Sequence, residues 1–122
     1  MKELFSIAVP VAAIAGTVVQ PLFRVPTGAS SYSHGGITIQ NAYIMSSGAA
    51  TSELQLLKGT TTGTASTGTI GTLNATLAAN VQQAFTVSSG YVASGSWVQV
   101  KTNAGGSLAT TNVITVEYVW GK

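Results

Sequence analysis

Residues 112–120 read Asn-Val-Ile-Thr-Val-Glu-Tyr-Val-Trp, and their alternation decides the fold. Ile114, Val116, Tyr118 and Trp120 fall on one parity, while Val113, Thr115, Glu117 and Val119 fall on the other. A period of two, built from β-branched and aromatic residues, is the pattern of a β-strand. One parity is wholly apolar and the other half apolar, which suits a central or interface strand.

The same period recurs upstream. In 97–102 (WVQVKT) Val98 and Val100 read as inward, with Gln99 and Lys101 outward. The NAGG turn at 103–106 separates this strand from the last one. Residues 91–92 open a further short strand, and 81–88 (VQQAFTVS) read as another, with Phe85 and Val87 on one face. Residues 73–80 read as one helical turn or a connection, and 59–72 as a Gly/Thr-rich loop with a short strand at 67–73. In 52–58 (SELQLLK) Leu54 and Leu56 share a face. In 36–45 (GITIQNAYIM) the pair Ile37 and Ile39 has the opposite parity to Ala42 and Ile44. A β-bulge near Gln40-Asn41 would bring both pairs to the core. Residues 17–25 read as a strand with Pro21 at an edge or bulge.

These segments give seven or eight short strands with turn signals between them and no helix of note, the pattern of an all-β, single-domain β-sandwich. The Cys pair that marks immunoglobulin domains is absent, so a jelly roll is the favoured topology. The sandwich is expected to occupy residues 17–122, preceded by 1–16 as an extended apolar N-terminal arm or a first strand. The 4–16 stretch (LFSIAVPVAAIAG) follows Lys2 as a secretory signal would, but Glu3 neutralises the charge in front of it. It is too short for a membrane span. A retained segment this apolar must bury itself, on its own domain or on a neighbour, so Leu4, Phe5, Ile7, Val9 and Val11 are candidate interface residues.

Composition narrows function further. The 122 residues include five Lys or Arg, three Glu, one His and neither Asp nor Cys, for a net charge of +2. A Ser-His-Asp triad cannot be written, and neither can a Cys-based zinc site. The carboxylates are too few for a convincing site for a hard cation, so no metal or other cofactor is expected, and no enzymatic activity. His34 in the 28–36 loop reads as a loop histidine, and Gly35-Gly36 as a turn rather than a phosphate cradle. Five basic residues are few for a nucleic-acid binder. The chain carries 17 Thr, 13 Ser and 14 Gly, so outward positions fall mostly to small, uncharged groups. Such a surface gives little colloidal repulsion and is expected to be covered by partner copies or a larger assembly. Trp97, opposite in parity to Val98, is a candidate anchor for a partner. Trp120 is another candidate, although its parity with Ile114 and Val116 favours the core for it and for Tyr118.

The sequence resembles small structural proteins of tailed bacteriophages. The likeness is carried by 21–26 (PLFRVP), 36–43 (GITIQNAY), the Gly/Thr stretch ending at Ile70, the AFTV strand at 84–87, and 112–121. It covers most of 17–122 and rests on strand and turn patterns. The resemblance implies a capsid decoration (cement) protein, often trimeric, on the capsid exterior. It would be assembled in the host cytoplasm and would tie neighbouring capsomers together. The implied partners are the major capsid protein or other virion subunits and further copies of the chain, with no nucleic acid and no membrane. Phe23 and Arg24, within the first of these segments, join the candidate contact residues. The alternatives are a tail-tip or fibre module that binds a receptor or glycan, and a subunit of a self-assembling tube or filament.

Overall fold

A computed structural model describes residues 3–14, 18–27, 35–48, 50–62, 68–102 and 108–121. Within them the chain forms β1 (Phe5–Ala12), β2 (Val19–Arg24), β3 (Gly36–Ser46), β4 (Ala50–Gly59) and β5 (Gly68–Leu77), and no helix. It continues as β6 (Gln83–Ala84), β7 (Thr86–Val87), β8 (Tyr91–Ala93), β9 (Trp97–Thr102) and β10 (Thr111–Trp120). The strands make two antiparallel sheets. The first runs β1-β10-β3, with β6 and β8 both paired to β3; the second runs β2-β9-β4-β5-β7. The fold is all-β and sandwich-like, with one apolar core fed by both sheets. Ile37, Ile39, Ala42, Ile44, Ile114 and Val116 come from the first sheet, and Leu54, Leu56, Ile70, Val98 and Val100 from the second.

β10 lies between β1 and β3, the central place its two apolar faces require. Its register with β3 shifts between Glu117 and Tyr118, which leaves Gln40 as the extra residue. That bulge brings Ile37, Ile39, Ala42 and Ile44 all to the core. β2 is an edge strand, and its register with β9 shifts between Pro21 and Phe23. Proline is tolerated there because an edge or a bulge does not call on its missing donor.

Five expectations are corrected. There are ten strands among the described residues rather than seven or eight, but β6, β7 and β8 are only two or three residues long. The expected single strand at 81–88 is divided: β6 pairs with β3 and β7 with β5. Phe85 between them is buried, and its amide donates to the Ala42 carbonyl at 2.8 Å. Residues 73–77 form no helical turn; they extend β5 to Leu77. The sandwich begins before residue 17: of the two readings of the N-terminal segment, Phe5–Ala12 takes that of a first strand, paired along its whole length with β10. Gln99 does not face solvent. It is fully buried, and its Nε2 donates to the Thr61 carbonyl at 3.2 Å. Leu57, opposite Gln99 in the register, is buried with it, so the chain just past β4 covers part of the outer face of the second sheet.

Two close approaches fix the short strands. Gly71 on β5 lies so near β7 that a Cβ there would sit 2.5 Å from the Thr86 carbonyl oxygen. Gly90, before β8, lies against the Ile39 carbonyl in the same way, and its own carbonyl accepts from the Ile39 amide at 2.9 Å.

Candidate functional site

The register of β1 on β10 pairs Phe5 with Tyr118 and Ile7 with Val116, so the odd residues of β1 point into the sandwich. At the end where β1 begins and β2 ends, the two sheets leave a pocket of about 200 Å³. Ile7, Ile37, Tyr118 and Trp120 line it from the first sheet, and Phe23, Arg24, Val25 and Pro26 from β2 and the chain after it. Phe5 stacks on Tyr118 with centroids 5.9 Å apart. Tyr118 in turn meets Trp120 edge to face, also at 5.9 Å. Both geometries are favoured by the ring quadrupoles. The result is a row of three aromatic rings along one mouth of the sandwich.

Arg24 supplies the polar group of the pocket. It is exposed, and its Nε donates to the Gly95 carbonyl at 3.2 Å. Gly95 is held by the same stretch of chain. Its amide donates to the Val25 carbonyl at 2.8 Å, and the Val25 amide donates to the Ser96 carbonyl at 2.9 Å. Its φ of 85° is one that glycine adopts without strain. The Arg24 guanidinium is thereby positioned at an otherwise apolar pocket.

Ile7, Phe23, Arg24 and Trp120, four of the candidate contact residues, meet at this pocket. Phe5, stacked on Tyr118, lies beside it at 37% exposure, and Leu4, the residue before it, is 51% exposed. Val9 is half-buried on the inward parity. Val11 is corrected as a contact residue: it is 4% exposed and belongs to the core, because β1 points it inward. Trp97 is half-buried beside Arg24 in the register but does not line the pocket. Tyr118, expected in the core, packs against the core and also lines the pocket. Its shared parity with Trp120 was the signal for that place. His34 and the 103–106 turn lie outside the described residues.

Three further charged groups have neutral hydrogen-bond partners. Glu117 accepts from Asn41 Nδ2 at 3.0 Å and from the Tyr43 hydroxyl at 3.4 Å, and Glu53 accepts from Gln55 Nε2 at 3.2 Å. Lys58 Nζ donates to the Tyr91 carbonyl at 2.5 Å, to Ser89 Oγ at 3.1 Å and to the Ser89 carbonyl at 3.2 Å. Desolvation holds its pKa below the usual lysine value.

No protein-family model, curated protein or solved structure matches this chain. No helix among the described residues is long and apolar enough to cross a membrane.

Proposed function

We propose that this chain is a structural virion protein that decorates and stabilises the exterior of a capsid by contacts between neighbouring capsomers, acting as a homotrimer on the major capsid protein. The observation that carries the reading is the outer face of the first sheet. The register places Ser6, Ala8 and Pro10 there from β1, Val113, Thr115 and Glu117 from β10, and Asn41, Tyr43 and Met45 from β3. One residue in nine is charged, and its carboxylate is already engaged. Met45 at 44% and Val113 at 38% exposure add apolar surface. A broad, nearly uncharged face on a rigid two-sheet block suits wide contact with a lattice better than capture of a small charged ligand.

The sheet orders support a jelly roll. β6 and β8 lie one after the other along β3 and count as one interrupted strand. With β7 as a short side excursion, eight strands remain. Their orders are first-eighth-third-sixth in one sheet and second-seventh-fourth-fifth in the other, the winding of a double-sheet jelly roll.

Co-sedimentation tests the decoration reading. The purified chain is mixed with expanded empty capsids built from the major capsid protein of the same genome. Saturable binding in a fixed ratio to capsomers is expected; a chain left wholly in the supernatant overturns it. The aromatic pocket favours the second reading, a receptor- or glycan-binding module. With Trp97→Phe leaving Trp120 as the only tryptophan, an emission shift on adding free sugars, together with failure on capsids, would move the conclusion there.

A further inference from the structure

We propose that the free edge of β1 is a docking edge for the β1 strand of a second copy of this chain, paired antiparallel about a two-fold axis at Ser6. The inference goes beyond the decoration reading and does not depend on it.

The other sheet edges are closed. β6, β7 and β8 are too short to template another strand, and β2 is bent by its irregularity at Pro21. Short strands, proline and bulges are the usual protection of an edge. β1 is different. It is eight residues long, carries no charged side chain, and among the described residues pairs with β10 alone. Its two exposed large apolar neighbours, Leu4 and Phe5, stand at its start.

Pro10 sets the register. Lacking an amide hydrogen, it fits a strand paired on one side only where that amide would point away from the partner. Amides two residues apart point the same way, so those of Ser6 and Ala8, and of Leu4 if the strand is prolonged, face the free edge. Centred on Ser6, a second copy would place its Ala8 opposite Leu4 and its Ile7 opposite Phe5. Residues 4, 6 and 8 of each copy would then exchange all their bonds, and Pro10 would lie beyond the ladder. Centred on Ala8, Pro10 would fall opposite Ser6 and a bond would be missing.

The occupant is a second copy because the edge is self-complementary. An uncharged strand meets itself without like-charge repulsion, and Ser6 and Ala8 are small enough for close approach. Phe5 would gain cover from Ile7 of the second copy, extending the apolar layer across the junction. The contact is isologous, so it closes at two copies. If trimers also form, it links one trimer to the next.

The chain has no cysteine, so single-cysteine variants test the register cleanly. Opposed strand residues lie within the reach of a disulfide. Under mild oxidation Ser6→Cys is expected to give covalent dimer at least about tenfold faster than Ala12→Cys, which has no counterpart in this register. Equal rates, or no dimer from either variant, overturn the proposal. Ala8→Pro provides the second arm. It removes an edge donor and no bond to β10, so the melting temperature should hold while the dissociation constant of the unlinked dimer rises about tenfold or more. An unchanged dissociation constant overturns the proposal as well. The purified chain alone is used, so failure here leaves the capsid reading to its own experiment.

Discussion

The three acceptors around Lys58 Nζ, two carbonyls and the Ser89 hydroxyl, are all neutral. They tie β4 to the chain on either side of Gly90 and so help to hold β8 in place. Replacing the ammonium removes charge-assisted bonds, discounted here because the group remains largely solvated; Lys58→Met should cost about 1 kcal/mol in chemical denaturation. The pH dependence has a definite sign. Desolvation lowers the folded-state pKa below 10.5, so as pH rises the folded chain releases this proton before the unfolded chain does. Below the folded value both states hold the proton and the term is constant. Between the two values the unfolded state binds more protons, so stability rises with pH relative to Lys58→Met. Denaturation curves of the two proteins from neutral pH to about 10.5 check this. A stability difference that shrinks as pH rises would show that the bonds to the charged form outweigh its desolvation.

At the scale of the element, the parity switch in β3 was legible because side chains alternate without exception unless a residue is inserted. Ile39 and Ala42 are three apart and both apolar, and only an extra residue between them reconciles that with one buried face. Gln40 is that residue. Deleting it should leave Ile37, Ile39, Ala42 and Ile44 inward and the chain folded, with a straighter β3 and a cooperative thermal transition. Deleting Ala42 instead would turn Tyr43 inward and Ile44 outward, and that chain should lose its cooperative transition. If both deletions melt alike, the bulge does not set the faces of β3. The strand that decided the fold, β10, was legible for the same reason, and so was the bend at Pro21. Gln99 was not. Parity reports the side of the sheet but not what lies over it, and Gln99 is buried by chain that comes from just past β4. The division of 81–88 was equally hidden, because its apolar pattern is the same whether one sheet or two receive it. Of the pocket, Ile7, Phe23, Arg24 and Trp120 were each legible as contact candidates, but their meeting was not. It depends on the register of β1 and on the crossing to β2, both long-range.

For the whole molecule, the scarcity of charge becomes a statement about assembly. The described charged groups are spread over the fold, among them Lys58 against carbonyls, Glu117 against Asn41 and Tyr43, Glu53 beside Gln55, and Arg24 beside Gly95. None lies on β1. In the Ser6-centred pairing Glu3 would fall opposite Val9 of the second copy, so no charged pair spans that junction. Two consequences follow for association. The encounter gains no steering, because a net charge of +2 on 122 residues makes a weak field. Once formed, the contact has no exposed ion pair for salt to screen, and a pair of that kind accounts for about 0.2–1 kcal/mol where it exists. Raising sodium chloride from about 50 mM to about 500 mM shortens the Debye length severalfold and should change the dissociation constant of the β1-paired dimer by less than about threefold. Light scattering at the two salt concentrations makes the measurement on the purified chain. A tenfold weakening would mean that charges outside β1 carry the association, and the uncharged edge would then be incidental to it. A modest tightening would fit a contact made by apolar burial and backbone hydrogen bonds, since excluded salts strengthen burial while leaving a charge-free ladder untouched.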